Sequence, residues 1–274
     1  MKKLFLIFLI LTVSMVNFTE TGFALCPNLS SVEKKNSQRS KIQLFNGKNL
    51  NGWYTFIKGK GRNNDPNKVF TVQNGLITIS GEEFGCITTN EEYDNYKLMV
   101  EFKWGDVTFE PRVEKARDSG VMLHSTGEDG GYSGIWMHSI ECQIIDGGTG
   151  DLLVVGDGSE KFSLTCPVAP EKQDGSYVFQ PSGNTVTING GRINWFGRDP
   201  EWKDIKGFHG AKDIEKPVGK WNKIECIVQG MEIFIYLNGT LVNHAIDVQP
   251  QKGRIQIQSE GAEILFKRVE ITLL

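Results

Sequence analysis

The chain has 274 residues, and its 33 acidic residues slightly outnumber its 30 basic residues, for a formal net charge of −3. This balance excludes a surface built to attract nucleic acid, which would need a clear excess of Lys and Arg. The 31 glycines are spread along the whole chain, and the length suits one well-packed all-β domain better than two small domains.

The N-terminus predicts an export signal. Lys2 and Lys3 precede the apolar stretch LFLIFLILTVSMV, and small residues surround the position of Ala24. The stretch is too short to span a bilayer comfortably, and this order of charge, apolar run and small residues is typical of a secretory signal. We therefore expect residues 1–24 to be removed, no transmembrane segment to remain, and the protein to be periplasmic or exposed at the cell surface.

The residues after the signal predict a tether. Cys26 raises the alternative of a lipid anchor, but Leu25 precedes it where lipoprotein signals usually have a small residue, so plain export is favoured. Residues 25–41 are polar and lack periodicity, as expected of a linker. The folded domain is then predicted to cover residues 42–274.

Two segments early in the domain predict strands. In VFTVQNGLITIS (69–80), an Asn-Gly pair separates two apolar-rich runs and indicates a hairpin turn. YKLMVEFKW (96–104) alternates its apolar residues with a second face that carries Glu101 and Lys103. Each strand of this kind has one face for a core and one polar face.

Most candidate functional residues lie between Lys115 and Asp151. His124 ends a predicted strand just before a glycine-rich loop, and Trp136 and His138 precede the next strand. A histidine in such a place is a candidate general base. The two histidines could equally be structural or bind a metal, and no spacing decides among these alternatives.

The next strand carries the strongest site pattern. Glu141 and Gln143 alternate with apolar neighbours, so period two directs both to the face opposite the core. Arg117 either belongs to a salt-bridged corner or reaches a sugar oxygen. Asp146 and Asp151 flank the turn GGTG and could bind Ca²⁺, although a full calcium-loop motif is absent.

The segment RINWFGRDPEWKDIKGFHGAKDIEK (192–216) interrupts the strand pattern. Long aromatic loops in β-sandwiches often border a binding face. We therefore expect this loop to wall a cleft, with Trp195 or Trp202 offering a flat apolar face to a sugar ring. The alternative is a loop that packs its own aromatic residues over an open sheet edge.

Two further strand segments complete the fold prediction. MEIFIYLNGTLVNHA (231–245) contains another Asn-Gly turn, and RIQIQSE (254–260) places Gln256 and Gln258 on its polar face. No apolar pattern keeps a 3.6-residue period for twelve positions, so helices should be short and peripheral. The class is therefore all-β: two packed antiparallel sheets in a sandwich or jelly roll.

The polar faces of these strands predict one cleft. We expect Glu101, Lys103, Glu141, Gln143 and Gln258 to converge, because strand phase places each opposite its apolar neighbours. The amides suit a hydroxyl-rich ligand, since each offers a donor and an acceptor. For any single residue the alternative is an ordinary solvated sheet face.

The cysteines and the missing motifs narrow the function. The five cysteines lack C-x-x-C spacing. The core positions of Cys142 and Cys226 favour buried thiols. The alternative is one disulfide, which an oxidising compartment would allow. Phosphate-binding glycine loops, G-x-S-x-G and H-E-x-x-H are absent from the sequence. Nucleotide-binding, serine-hydrolase and metalloprotease functions therefore have no support.

Several motifs in order resemble one family. FNGKNLNGW (45–53), ARDSGVMLH, WMHSIECQIIDGGTGD, GKWNKIEC and GRIQIQSEGAEILFKRVEI (253–271) are similar to the 3-keto-disaccharide hydrolase domain family. The similarity covers about residues 42–274 and implies a concanavalin-A-like jelly roll. The family's Glu-Gln pair corresponds to Glu141 and Gln143, and this chain has Asp118 where the family usually has Asn.

The resemblance implies cleavage of glycosides whose sugar has been oxidised to a ketone at C3. Such a ketone acidifies the hydrogen on C2, so a base can remove it, the C1 substituent can leave, and hydration completes a net hydrolysis. A divalent cation, Ca²⁺ or Mn²⁺, is an optional cofactor. The catalytic candidates are Glu141, His124 and Glu101, and the sugar-binding candidates are Lys103, Arg117, Gln143, Trp136, His138, Trp202 and Gln258.

Two other functions remain open from the sequence. A carbohydrate-binding sandwich would use the same face, aromatics and amides without catalysis. A conventional glucanase is less favoured, because Gln143 stands where such strands usually carry a second carboxylate.

Overall fold

The computed structural model describes residues 40–274. The predicted export signal (1–24), Cys26 and nearly all of the predicted tether (25–41) lie outside the described residues. The first strand begins at Lys41, next to the predicted domain start. Within this part of the chain, no helix is long and apolar enough to cross a membrane.

The regular elements of residues 40–274 are all β-strands, numbered here in chain order. They are β1 (Lys41–Gln43), β2 (Trp53–Ile57), β3 (Gly61–Arg62), β4 (Phe70–Gln73), β5 (Leu76–Ile79), β6 (Gly85–Thr89), β7 (Tyr96–Thr108), β8 (Asp118–Thr126), β9 (His138–Ile145), β10 (Leu152–Val155), β11 (Ser163–Val168), β12 (Tyr177–Val178), β13 (Asn184–Ile188), β14 (Gly191–Asn194), β15 (Asn222–Gln229), β16 (Glu232–Leu237), β17 (Thr240–Gln249), β18 (Arg254–Ser259) and β19 (Ala262–Leu273).

The strands form two sheets, and this confirms the predicted jelly-roll sandwich. The ten-stranded sheet has the order β13-β11-β17-β16-β15-β7-β19-β5-β4, with β1 beside β19. The nine-stranded sheet has the order β12-β14-β10-β9-β8-β18-β6-β2-β3. The strand pairs are antiparallel except for β12 with β14.

Both predicted Asn-Gly hairpins are present, between β4 and β5 and between β16 and β17. Asn74 and Asn238 have φ values of 51° and 50°, and a glycine with positive φ follows each. Two successive residues with positive φ suit a type I′ turn, whose twist matches that of the flanking strands.

The core lies between the sheets and follows the predicted alternation. On β7, Tyr96, Leu98, Val100 and Phe102 are buried, and they join one cluster with the apolar residues of β9. Burial of each large apolar side chain contributes roughly 1.5–3 kcal/mol.

The four described cysteines are buried free thiols, as favoured from the sequence. Cys142 of β9 and Cys226 of β15 meet across the core. The hydrogen bond with the Cys226 thiol, together with burial, raises the pKa of Cys142 well above its usual value. These thiols therefore behave as small core side chains.

Candidate functional site

A cleft of ≈250 Å³ lies on the outer face of the nine-stranded sheet. Its residues come from β8, β9, β10, β14, β18 and the three loops that follow β7, β8 and β18. They are Arg112, Asp118, Tyr132, Trp136, Glu141, Gln143, Leu153, Val154, Val155, Gly191, Arg192, Gln258 and Glu260.

Strand register explains why these side chains meet. Glu141 pairs with Met122 of β8 on one side and with Leu153 of β10 on the other. Leu153 in turn pairs with Arg192 of β14. Residues directly opposite on neighbouring strands share a face, so Glu141 and Arg192 stand in one row with an apolar residue between them.

Gly120 creates the space at the centre of the cleft. It pairs with Gln143, and a Cβ at this position would lie 2.3 Å from Oε1 of Gln258 and 2.3 Å from Oε1 of Glu141. Such distances are far inside van der Waals contact. Glu141 and Gln258 can therefore converge only because residue 120 has no side chain.

We predict that Gly120→Ala disrupts the site while leaving the fold intact. The new methyl group must displace the ends of Glu141 and Gln258, so turnover of the substrate should fall at least tenfold, while the melting temperature changes by only a few degrees. Gly190→Ala is the matched control, because a Cβ there meets nothing within 4 Å. Equal activity of the two variants would contradict the convergence of these side chains.

The electrostatics of the cleft favour the protonated form of Glu141. Burial, and after it the negative charge of Asp118, raise its pKa to about 8, while Arg192 and the Gln258 side chain oppose the shift. The side chain is nearly buried, with 4% exposed. A carboxyl with this pKa can both donate and accept a proton near neutral pH.

Asp118 is the second carboxyl of the cleft, and it is held in place. Its Oδ1 accepts a hydrogen bond from Gln143 Nε2 at 2.5 Å, and its Oδ2 pairs with the Arg112 guanidinium. Burial raises the pKa of Asp118 to about 6, against the positive charges of Arg112 and Arg192. Asp118 is therefore mostly ionised at pH 7 while Glu141 is mostly protonated.

Glu260 adds a third carboxyl to the cleft. It is partly exposed, whereas Asp118 and Glu141 are buried. Burial, followed by the charges of Asp118 and Glu141, raises the pKa of Glu260 well above its usual value. The three carboxyls therefore favour shared protons over three negative charges.

The cleft contains buried polar atoms without partners. Trp136 Nε1, Gln143 Oε1 and Gln258 Oε1 all lack a hydrogen bond, as does Ser139 Oγ on the same face of β9. Buried polar groups in folded proteins are nearly always paired. Their concentration here indicates a ligand that both donates and accepts hydrogen bonds.

Apolar side chains lie beside these polar groups. Trp136 packs with Met122 and Val155 in a small cluster on this face, and Tyr132 and Leu153 pack against it. A ligand with apolar ring faces and a polar rim, such as a pyranose, matches this combination.

Four of the predicted site residues lie in this cleft: Glu141, Gln143, Trp136 and Gln258. The prediction that Glu101 and Lys103 join them is wrong, because β7 belongs to the ten-stranded sheet. There Glu101 pairs with Lys267 at 3.3 Å, and the Lys103 ammonium lies 5.2 Å from the centre of the Trp221 ring. Both residues lie on the solvated face of the other sheet.

His124 is in the core and does not line the cleft. It has a φ of 55° at a register shift of β8, and its ring contacts Tyr96. Its Nδ1–H donates to the Pro250 carbonyl at 2.6 Å, and burial lowers its pKa. This placement removes the geometric basis for a catalytic base at His124.

His138 packs between Phe162 and Tyr132, with ring centres 4.7 Å and 6.2 Å away. It therefore supports Tyr132, a cleft residue, and does not itself line the cleft.

The side-chain amide of Gln256 is used within the fold. Its Nε2 donates to Thr88 Oγ1 at 2.9 Å, and its Oε1 accepts from the Met137 N–H at 3.2 Å.

Arg117 belongs to a salt-bridged corner, which was one of its two predicted alternatives. Its backbone N–H and its guanidinium donate to Asp146 Oδ2 at 2.9 and 3.2 Å. Asp151 accepts from Arg192 and Arg198 and from the Trp195 N–H. Arginines thus occupy the two carboxylates considered as calcium ligands.

The cleft does not fit a divalent cation. No group of three or more His, Cys, Asp or Glu in residues 40–274 is arranged to hold a metal ion. Within the cleft, the Arg112 guanidinium already pairs with Asp118, and the raised pKa of Glu141 favours its neutral form. A cation would have to displace Arg112 from Asp118.

The aromatic loop has a different role from the one expected. Trp195 is buried in the core at 1% exposure, and of residues 192–216 only Arg192 lines the cleft. Trp202 is partly exposed, but the Arg198 guanidinium covers its ring at 4.0 Å. The indole faces a neighbouring pocket, so the prediction that Trp195 or Trp202 walls the cleft is wrong.

Sequence reasoning missed several cleft residues, namely Arg112, Asp118, Tyr132, Arg192 and Glu260. From the sequence, Asp118 is a departure from the family pattern and a candidate for a salt-bridged corner with Arg117, without a catalytic role. The available signal was phase, since Arg192 lies on the face of β14 opposite the buried Ile193. Phase alone does not identify the neighbouring strand.

A family model described as a 3-keto-α-glucoside-1,2-lyase-like domain matches residues 40–272. No curated protein matches the chain in sequence.

Several solved structures resemble this chain at low sequence identity. A protein of Parabacteroides distasonis, provisionally named a glycosyl hydrolase, has 18% identity and a TM-score of 0.50, over 89% of this chain and 98% of its own. A second such protein from that organism has 20% identity and a TM-score of 0.48, over 86% and 100%. The β-glucanase of Bacillus licheniformis has 13% identity and a TM-score of 0.45, over 86% and 98%.

The family match covers nearly every described residue, including all strands that form the cleft. The chain therefore belongs to the family of 3-keto-α-glucoside-1,2-lyase-like domains.

Proposed function

We propose that this protein is a glycoside-cleaving enzyme that acts on sugars carrying a ketone at C3, with Glu141 as the proton-transfer group. One observation carries the proposal most directly. Glu141 is a nearly buried carboxyl with a pKa raised to about 8. Buried polar atoms of Trp136, Gln143 and Gln258 that lack hydrogen-bond partners lie in the same cleft. Perturbed carboxyls in clefts of this kind are typical of catalytic sites.

The reaction balances with one carboxyl. Ionised Glu141 takes the proton from C2, the electron pair of that bond forms a C1–C2 double bond through the C3 enolate, and the C1–O bond breaks. The proton then passes to the leaving oxygen. Addition of water across the resulting enone completes a net hydrolysis and returns the ketone.

The remaining cleft residues suit the enolate. Negative charge develops on the C3 oxygen, and preorganised donors at that point lower the barrier. Arg192 is a partly exposed cation of the cleft that leaves Asp118 to Arg112, and the amides of Gln143 and Gln258 lie beside Glu141. We assign them to binding the sugar and the developing charge.

A conventional retaining mechanism fits less well. It needs a second carboxylate free to attack C1. Asp118 has both of its oxygens engaged, one by Gln143 and one by Arg112, and the raised pKa of Glu260 favours its protonated form. The β-elimination needs no such nucleophile.

The test compares a 3-keto-disaccharide with its unoxidised parent, each with and without a chelator. Release of free sugar only from the ketone is expected, at a rate that the chelator does not change. Cleavage of the parent at a similar rate would contradict the proposal and support a conventional glucanase. Tight binding of both sugars without turnover would support a carbohydrate-binding module, which could use the same unpartnered atoms and aromatic rings.

A further inference from the structure

The loop between β8 and β9, residues 127–137, crosses the outer face of the nine-stranded sheet. It begins at the end of β8, yet its Asp129 contacts Tyr54 of β2 and Arg62 of β3. The strands β18, β6 and β2 lie between β8 and β3. The loop therefore forms a strap over these strands, and it is fastened far from the strand where it begins.

Asp129, Tyr54 and Arg62 form a latch that holds the strap. Oδ1 of Asp129 accepts a hydrogen bond from the Tyr54 hydroxyl at 2.9 Å, and Oδ2 accepts from Nε and Nη2 of Arg62 at 3.0 and 2.5 Å. The Arg62 guanidinium also lies 4.0 Å from the centre of the Tyr54 ring. Only 12% of the Asp129 side chain is exposed, so its carboxylate depends on these donors.

The part of the strap that lines the cleft is a closed turn, which carries Tyr132 and Trp136. The Tyr132 N–H donates to the Trp136 carbonyl at 2.8 Å. The N–H groups of Ile135 and Trp136 donate to the Tyr132 carbonyl at 3.0 and 3.1 Å. These bonds make the turn one compact unit that is attached to the sheet at its two ends.

The C-terminal end of the turn is attached directly to the sheet. The Met137 N–H donates to Gln256 Oε1 at 3.2 Å, and Trp136 packs with Met122 in the small apolar cluster. Trp136 is only 8% exposed. It is therefore held in place by contacts that do not involve Asp129.

The N-terminal end of the turn depends on Asp129. Only Gly130 and Gly131 separate Asp129 from Tyr132, and the Gly131 N–H donates to the Glu128 carbonyl at 3.1 Å. Tyr132 is partly exposed, so packing holds less of its surface. Glycine restricts the backbone least, so loss of the latch would let Tyr132 move.

We propose that Asp129 is a positioning residue for substrate binding: the latch fixes Tyr132 where its ring contacts the sugar in the cleft. This inference rests on the proposed function of the cleft. It extends that function to β2 and β3, two strands that do not line the cleft. The Tyr132 ring contacts substrate and transition state alike, so the latch should act on KM and leave kcat nearly unchanged.

Steady-state kinetics with methyl 3-keto-α-glucoside tests this role. Asp129→Asn keeps the size of the side chain but removes the charge that Arg62 binds, so KM should rise about fivefold or more while kcat stays within roughly twofold. In a Tyr132→Ala background the same substitution should change KM by less than about twofold, because the latch acts through Tyr132. Effects that multiply in the double variant would overturn the proposal.

Glu128→Gln is the matched control, since it removes the neighbouring charge of the strap from an exposed side chain. Its KM and kcat should equal those of the wild-type protein. Tyr54→Phe removes only one hydroxyl of the latch and keeps the test decisive if Asp129→Asn fails to fold. It should raise KM about twofold or more, and an unchanged KM in Tyr54→Phe would overturn the proposal.

Hydrogen exchange separates this inference from the proposed function, because it needs no substrate. The amides of Tyr132, Ile135 and Trp136 should exchange roughly tenfold faster in Asp129→Asn than in Glu128→Gln. That result would support the positioning of Tyr132 even if the wild-type protein cleaves no 3-keto-glycoside. Equal exchange in the two variants would overturn the latch and, where the wild-type protein still cleaves the ketone, leave the proposed function standing.

Discussion

Glu141→Gln should lower kcat for a 3-keto-glycoside by roughly 10²-fold or more, the loss expected when a general base is removed. The substitution keeps the shape of the side chain and removes only its ability to take a proton. Steady-state kinetics with purified protein measures the effect, and circular dichroism verifies the fold.

Glu101→Gln is the control for this variant. It makes the same chemical change on a strand with a similar alternating pattern, but on the outer face of the ten-stranded sheet. Turnover should remain within twofold of wild type. A large loss in Glu101→Gln, or unchanged turnover in Glu141→Gln, would contradict the assignment of the site to the nine-stranded sheet.

The pH dependence of kcat/KM should rise steeply from pH 6.5 to about 8 and then level off. Glu141 acts as a base only when ionised, and its pKa is raised to about 8. Below that value the ionised fraction increases roughly tenfold per pH unit. If Glu141 acted instead as the general acid of a conventional glycosidase, kcat/KM would fall as the pH rises above 8.

The pH dependence of thermal unfolding gives an independent test of the raised pKa of Glu141. Because folding raises the pKa of Glu141 from 4.5 to about 8, the folded state retains a proton that the unfolded chain releases. The contribution of the protonated Glu141 carboxyl to the free energy of unfolding is therefore fully present below pH 4.5 and is lost as the pH rises through about 8. Glu141→Gln should gain melting temperature relative to wild type across this window, and a constant difference would contradict the shifted pKa.

The fold was predictable because its signals are local. The Asn-Gly turns and the alternation on β7 and β9 each lie within a dozen residues, and backbone geometry converts them directly into hairpins and faces. The pairing of strands is a long-range property. Glu101 and Glu141 have the correct phase on their own strands, but alternation carries no information about which sheet a strand joins.

His124 shows a second limit of pattern reasoning. Met122 faces outward, so strict period two would place His124 on the same outer face. Instead, a register shift after Leu123 and a φ of 55° turn the ring into the core. The close approach of Gly253, where a Cβ would lie 2.3 Å from the His124 backbone, accompanies this irregularity, and a bulge of this kind leaves no clear signature in the sequence.

Glu141, Leu153 and Arg192 lie opposite one another on three neighbouring strands, so the spacing of the strands fixes the distance across the cleft. Neighbouring strands lie ~4.8 Å apart, so the backbones of Glu141 and Arg192 are separated by ~9.6 Å whatever the surrounding loops do. Loops at the cleft can vary in length and sequence without changing this interval. A relative that anchors its ligand from another strand of this sheet would change the interval by a multiple of ~4.8 Å, so this route to a new specificity proceeds in discrete steps.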